Sequence, residues 1–157
     1  MQQQNDLPEW QRQVLDDLLA ERQRQDEQWG PDRRLGSGLW MLITGEEFGE
    51  IGDALVESPQ MSNLYEEIVQ TAAVLVCWAE QIERHPNFVP SAGERSEYER
   101  PGIWYILLVR IIGRIGRLVM EHESPDRMAR QLDQMSRLVA DWREDLLKEV
   151  NAHEQQQ

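Results

Sequence analysis

The feature that most constrains the fold is an internal repeat, in which residues recur 64 positions further along the chain. The offset stays constant across two helical segments and the turn between them, so no gap is needed. The repeated residues are Gly38, Trp40, Gly49, Ile51, Gly52, Glu57, Gln70, Trp78 and Glu80, which correspond to Gly102, Trp104, Gly113, Ile115, Gly116, Glu121, Gln134, Trp142 and Glu144. Such a fixed period indicates that a helical hairpin was duplicated and fused to its own copy.

Hydrophobic periodicity is helical along the chain, and strand-like alternation is nearly absent. We therefore predict an all-α fold with an N-terminal helix over residues 8–28, a first hairpin over 39–84 and a second hairpin over 102–150. The polar segment 87–101 is predicted to connect the two hairpins. Two hairpins that bury their apolar faces against each other form a four-helix bundle, so residues 1–157 are predicted to be a single domain and an internal pseudo-dimer.

The charge balance limits the classes of partner. The chain has 29 acidic and 16 basic residues, a net charge of −13, which argues against nucleic acid or an anionic membrane surface as the main partner. The longest apolar stretch, 103–120, contains three arginines, too much charge for an ordinary membrane span. The single Cys77 and the lack of an export signal at the N-terminus predict a cytoplasmic protein.

Carboxylates lie inside two otherwise apolar helical segments, where charge is unfavourable unless a positive group is present. Glu46, Glu50 and Asp53 share one helical face, Glu47 flanks Glu50, and Glu67 follows in the next helix. Like charges crowded over about 10 Å repel one another. The pattern therefore predicts either a bound divalent cation or a cluster of arginines at this face.

The repeat supplies such arginines. At the 64-residue offset, Glu46, Glu50 and Asp53 correspond to Arg110, Arg114 and Arg117. Two interpretations stay open for these arginines. They could pair with the carboxylates in an ion ladder between the twin helices, or their guanidinium groups could bind the phosphates of a ligand.

The acidic segments also resemble a known family. Glu46-Glu47-Phe48-Gly49-Glu50 followed by Glu67-Ile68-Val69-Gln70 is similar to the EExxE and ExxD signature of the all-α nucleoside triphosphate pyrophosphohydrolases, the superfamily of MazG-like proteins and dimeric dUTPases. The segment 21–30 resembles the stretch that precedes this signature in phage and bacterial MazG-like proteins. The resemblance covers residues 21–83, and the duplicated remainder is similar in layout to fused members of the superfamily.

This resemblance implies hydrolysis of a nucleoside triphosphate between its α and β phosphates, with Mg²⁺ or Mn²⁺ as cofactor. Glu47, Glu50 and Glu67 fall on the metal-ligand positions, and Glu46 is a ligand or the base that orients the attacking water. Gln25 and Trp29 fall where the superfamily places nucleobase contacts, although a tryptophan can also simply close the end of a bundle. The pairing of two chains that is common in the superfamily favours a homodimer.

One position departs from the family signature. Gln70 stands where the family has its last aspartate ligand, and an amide oxygen can coordinate a metal without bringing charge. Asp53, one turn from Glu50, could compensate for the missing charge. The alternative function is a catalytically silent helical module for nucleotide sensing or protein interaction, held together by the glutamate–arginine ladder.

Overall fold

The computed structural model describes the backbone of residues 7–57, 61–89 and 92–154, and the side chains of 7–56, 61–89, 102–148 and 151. These residues form five helices and no strand, which confirms the all-α class: α1 Glu9–Trp29, α2 Ser37–Glu57, α3 Met61–Arg84, α4 Ala92–Met120 and α5 Pro125–Glu154. No helix in the described ranges is long and apolar enough to cross a membrane. The chain divides into two compact units, residues 1–96 and 97–157.

Two helix boundaries follow the local signals in the sequence. Helix α1 ends at Trp29, and the next residue, Gly30, has a φ of 89° that is unfavourable for residues with a Cβ. The Gly30 N–H donates to the carbonyl of Asp26 at 2.9 Å. Helix α5 begins at Pro125, directly after Ser124, whose carbonyl accepts the N–H of Arg127 at 3.0 Å. Proline suits this first position because the N–H that it lacks would have no partner within the helix.

Helix α4 begins ten residues earlier than its predicted start at residue 102. The segment predicted as a connector is therefore helical from Ala92 onward, and Pro101 lies within the helix. Residues 92–100 contain three glutamates, two arginines and one alanine, which are strong helix formers. Their helix propensity outweighs the loss of the one backbone hydrogen bond that Pro101 cannot donate.

A tight turn joins α4 to α5. His122 has a φ of 51°, its N–H donates to the carbonyl of Val119 at 3.2 Å, and the N–H of Glu123 donates to the carbonyl of Leu118 at 3.0 Å. This pattern is a Schellman motif, which satisfies carbonyl groups at the end of a helix. It ends α4 at Met120.

In the first unit, α3 packs against both α1 and α2. Trp40 of α2 is fully buried at 0% exposure and stacks on Trp78 of α3, with 6.2 Å between the ring centroids. The side-chain oxygen of Gln81 accepts the Trp40 indole N–H and the Leu35 backbone N–H, both at 2.8 Å, and the Gln81 amide donates to the Leu35 carbonyl at 3.0 Å. Cys77 is buried beside this cluster, and burial raises the pKa of its thiol.

The second unit repeats one of these hydrogen bonds. The indole N–H of Trp104 donates to the carboxylate of Asp145 at 3.2 Å, and Trp104 and Asp145 lie 64 residues after Trp40 and Gln81. The two bonds therefore join equivalent positions of the two hairpins, although the acceptor is a different residue type. This correspondence supports the duplication, because the Gln81–Asp145 pair is not part of the sequence identity on which the repeat was recognised.

Candidate functional site

Carboxylates from three helices converge in the first unit. Glu46, Glu47 and Glu50 come from α2, Glu67 comes from α3, and Glu21 comes from α1. The charges of the other four all act on Glu47. The structure thus brings together four of the predicted site residues. It also adds Glu21, which the motifs in α2 and α3 could not predict because Glu21 lies in α1.

Glu47 and Glu67 are two partly buried members of this carboxylate cluster. The Oε2 atom of each is buried and has no hydrogen-bond partner. Burial and the neighbouring carboxylates raise the pKa of Glu47 to about 7. Burial, the charges of Glu50 and Glu66, and a hydrogen bond with Glu50 raise the pKa of Glu67 as well. Both groups are therefore placed where a cation would be stabilised.

The second hairpin shows that these two positions face inward. Glu47 corresponds to Ile111, which is 4% exposed, and Glu67 corresponds to Gln131, whose Oε1 is also buried without a partner. In the twin hairpin, an apolar and an uncharged side chain occupy the two places. The first hairpin therefore carries two carboxylates at positions suited to uncharged groups, which is unfavourable unless they serve a function.

Helix α1 holds Glu21 in place. Arg24 donates two hydrogen bonds to the Glu21 carboxylate, at 2.6 and 2.7 Å, and the amide of Gln25 donates a third at 2.9 Å. Burial acts to raise the pKa of Glu21, but these bonds outweigh it and the pKa is lowered. Glu21 is therefore ionised at neutral pH and repels Glu47. Gln25, a predicted nucleobase contact, is 1% exposed, and its hydrogen bond to Glu21 connects it to the cluster.

Trp29 lies at the end of α1 and is half exposed, at 51%. The guanidinium carbon of Arg24 lies 5.9 Å from its ring centroid, and that of Arg33 lies 5.6 Å away. Such cation–π contacts stabilise the ring while leaving part of it open to solvent. Trp29 therefore lies at the end of α1 with two guanidinium groups near its ring and about half of its surface exposed.

A groove of about 440 Å³ lies beside the cluster, between α1 and α3. Its lining includes Glu21, Arg24, Tyr65 and Gln70. Gln70, the position that departs from the family signature, therefore borders an opening next to the carboxylates. Asp53 lies exposed on α2, one turn beyond Glu50.

The predicted arginines belong to the second unit. Arg114 and Arg117 line a groove of about 330 Å³ together with Arg127 and Arg130 of α5. Arg110 and Arg114 line an adjacent groove of about 340 Å³ together with Arg137. The sequence interpretation missed the α5 arginines, although Arg127, Arg130 and Arg137 follow the helical spacing of three and seven residues that places them on one face.

No family model, curated protein or solved structure matches the chain. The candidate site therefore rests on its own residues.

Those residues fit a hard divalent cation in their chemistry. Carboxylate oxygens are the ligands that Mg²⁺ prefers, and Glu47 and Glu67 each offer a buried oxygen without a partner. Among the side chains that the structure describes, no three from aspartate, glutamate, histidine and cysteine are placed to hold a metal ion together. The cluster thus has the right donors without a closed coordination shell.

We expect the free energy of unfolding to fall as the pH rises from about 4.5 to about 7. The pKa of Glu47 is 4.5 in its ordinary state and about 7 in the folded chain, so the folded chain binds more protons in this range. The stability that this group contributes is complete below the lower pKa and is lost as the pH rises through the higher one. The loss is about 1–3 kcal/mol, because Glu47 is only partly enclosed.

Urea unfolding at several pH values checks this expectation. In Glu47→Gln, the free energy of unfolding should change less with pH, and the variant should be more stable than the wild type at high pH. The matched control is Glu83→Gln, an exposed α3 carboxylate outside the cluster, which should keep the wild-type slope. A wild-type stability that does not change over this range would contradict the placement of Glu47.

Proposed function

We propose that this chain is a nucleoside triphosphate pyrophosphohydrolase that depends on Mg²⁺ or Mn²⁺. It cleaves between the α and β phosphates to release a nucleoside monophosphate and pyrophosphate, a reaction of nucleotide-pool housekeeping. The convergence of Glu47, Glu50 and Glu67, with two buried and unpartnered carboxylate oxygens, carries the proposal. The reaction type comes from the resemblance of these same residues to the MazG-like signature.

Each acidic residue has a distinct role in this proposal. Glu47, Glu50 and Glu67 would hold the cation, which would neutralise phosphate charge and lower the pKa of a bound water. Glu46 is exposed beside them on α2, where it can accept the proton of the attacking water or act as a further ligand. Gln70 contributes an uncharged oxygen at the edge of the groove.

The α1–α3 groove supports nucleotide binding next to the carboxylates. Arg24 lines this groove and interacts with the charge of Glu47, so it places a positive charge near the phosphates. Half-exposed Trp29 offers a face on which a base can stack. In the proposed four-helix bundle, the second hairpin packs against the first and adds Arg110, Arg114 and Arg117 as phosphate contacts.

Metal binding is the first test of this function. We expect Mg²⁺ near 100 times its dissociation constant, at about pH 8, to add about 2.7 kcal/mol to the free energy of unfolding. Thermal unfolding with and without Mg²⁺ measures this gain. Glu67→Gln should reduce it strongly, whereas Glu83→Gln should not. An unchanged melting temperature in wild type at high Mg²⁺ would remove the support for a metal site.

Catalysis needs a separate measurement. Release of pyrophosphate from a panel of ribonucleoside and deoxyribonucleoside triphosphates, with Mg²⁺ and with Mn²⁺, tests the proposed reaction and finds the preferred base and sugar. Formation of the matching monophosphate distinguishes cleavage between the α and β phosphates from removal of the terminal phosphate.

A second candidate function is a silent nucleotide-sensing or protein-interaction module built around a glutamate–arginine ladder. Two observations favour it: the charge reversal between equivalent positions of the hairpins, and the absence of a preformed metal-binding trio among the described side chains. Such a ladder is weakened by salt and does not respond to metal. Stability that falls with NaCl and ignores Mg²⁺, together with no pyrophosphate release, would identify this second function.

A further inference from the structure

One buried glutamine on α1 has a side-chain oxygen without a partner. The Gln25 side chain is 1% exposed, and its Nε2 donates a hydrogen bond to the Glu21 carboxylate at 2.9 Å. The other end of the amide, Oε1, is buried and has no hydrogen-bond partner among the residues that the structure describes. A buried acceptor in this state is unfavourable, because it has given up its hydrogen bonds to water.

Glu21 determines which end of the Gln25 amide is left without a partner. An ionised carboxylate only accepts hydrogen bonds, whereas an amide has one donor end and one acceptor end. If the Gln25 amide were turned over, its oxygen would face the Glu21 oxygens and be repelled by them. Two hydrogen bonds from Arg24 stabilise the ionised form of Glu21. The acceptor end of Gln25 is therefore the end that needs a donor.

A second buried glutamine of the same unit has a purely structural role. Gln81 is 6% exposed, and its Oε1 accepts the indole N–H of Trp40 and the backbone N–H of Leu35, both at 2.8 Å. Its Nε2 donates to the Leu35 carbonyl at 3.0 Å. Protein groups thus use both ends of the Gln81 amide, but only the donor end of Gln25. This difference sets Gln25 apart from a glutamine that only holds helices together.

The buried oxygens without a partner in the first unit form a set. Among its described side chains there are three: Gln25 Oε1 on α1, Glu47 Oε2 on α2 and Glu67 Oε2 on α3. Gln25 is joined to the carboxylate cluster through Glu21, whose charge acts on Glu47. Three such acceptors at one cluster match a hydrated cation, because water that binds a cation through its oxygen directs its hydrogens outward. Mg²⁺ in proteins usually keeps several of its waters.

Burial also limits what can reach Gln25. The resemblance implies a nucleobase contact at this position, but a base is too large to reach a side chain that is 1% exposed while α1 stays packed on α3. A single water molecule needs far less room than a base. Burial therefore favours water over a base as the partner of Gln25 Oε1.

We propose that Gln25 belongs to the metal site, where its buried oxygen accepts a hydrogen bond from a water molecule bound to the cation. Gln25 is a positioning residue in this role: Oε1 orients the water, and Nε2 orients Glu21. The inference rests on the metal site of the proposed function. It does not depend on the reaction that this site performs.

Binding of Mn²⁺ to the full-length chain without nucleotide tests this role. Electron paramagnetic resonance of the free ion measures the affinity. Gln25→Met replaces the amide with an apolar group of similar length and should weaken Mn²⁺ binding about 10-fold or more, the usual effect of losing a partner that orients a metal ligand. Gln25→Leu is a second apolar replacement with the same expected result. Circular dichroism checks that both variants fold.

Two other glutamines of the first unit are matched controls. Gln23→Met changes an exposed side chain on the same helix and should leave the Mn²⁺ affinity unchanged. Gln81→Met should lower the free energy of unfolding, because it leaves buried N–H groups without their acceptor, and should also leave the Mn²⁺ affinity unchanged. A loss of affinity in Gln81→Met equal to that in Gln25→Met would show that destabilisation alone explains the result, and would refute the inference.

A second background separates the two ends of the Gln25 amide. Gln25→Met also removes the hydrogen bond to Glu21, but in Glu21→Ala that bond is already absent. Gln25→Met should therefore weaken Mn²⁺ binding by a similar factor in the Glu21→Ala background. No further loss in the double variant would show that Gln25 acts only by holding Glu21, and its oxygen would have no role at the metal.

The remaining outcomes distinguish this inference from the proposed function. Equal Mn²⁺ affinity in wild type and Gln25→Met would refute the inference and leave the metal site in place, whereas no binding by the wild type would refute both. Over the nucleotide panel, Gln25→Met should keep the wild-type order of preferred bases; a changed order with unchanged Mn²⁺ affinity would make Gln25 a nucleobase contact instead. Mn²⁺ binding that depends on Gln25, without any pyrophosphate release, would support the inference and refute only the proposed activity.

Discussion

Replacing Glu50 with glutamine is expected to lower the rate of pyrophosphate release by about 100-fold or more, with helical content unchanged. Glu50 raises the pKa of both Glu47 and Glu67, so its charge lies close to both carboxylates. Glutamine keeps the shape of the side chain and removes its charge. Steady-state release of pyrophosphate at saturating Mg²⁺ measures the loss, and circular dichroism checks the fold.

The controls for Glu50→Gln distinguish metal binding from proton transfer. Glu83→Gln changes an exposed α3 carboxylate outside the cluster and should keep wild-type turnover. Glu46→Gln should lower turnover while leaving the stabilisation by Mg²⁺ largely intact if Glu46 is the base, and should weaken both if it is a ligand. Full activity in Glu50→Gln would refute the assignment of the site.

Replacing Trp40 with alanine is expected to lower the free energy of unfolding by about 3–5 kcal/mol. The Trp40 side chain is fully buried, stacks on Trp78 and donates to Gln81. Its removal leaves a cavity and removes one of the hydrogen bonds that Gln81 accepts. Gln81 also accepts the backbone N–H of Leu35 and so links Leu35 to α3. Urea unfolding followed by helical circular dichroism measures the effect.

Trp104→Ala is the matched control that the repeat provides. Trp104 makes the equivalent indole hydrogen bond but is only partly buried, so we expect a smaller loss of about 1–2 kcal/mol. Trp40→Phe retains most of the ring and should fall between the wild type and Trp40→Ala. Equal losses for Trp40→Ala and Trp104→Ala would show that the two indoles contribute equally, contrary to their difference in burial.

Local signals in the sequence predicted several features that the structure contains. Glycine at residue 30 and the Ser124–Pro125 pair set helix ends, because the backbone preferences of glycine and proline act within one turn. The start of α4 was wrong because Pro101 was interpreted as a boundary, although the helix-forming residues before it prevail. Glu21 was not recognised as part of the site, since it joins the carboxylate cluster only through packing of α1 on α3.

By itself, the sequence determined that the chain is all-helical, that residues recur at a constant offset of 64 positions, and that carboxylates crowd one face of the second helix. The helical period of the hydrophobic residues and the constant offset of the repeated residues suffice for these conclusions. Both signals depend only on local geometry and on comparison of the chain with itself. Only the tertiary structure decided that Glu47 and Glu67 each bury a carboxylate oxygen without a partner, and that Trp40 is more deeply buried than Trp104. Burial depends on which helices pack around a residue, and that arrangement joins residues far apart in the chain.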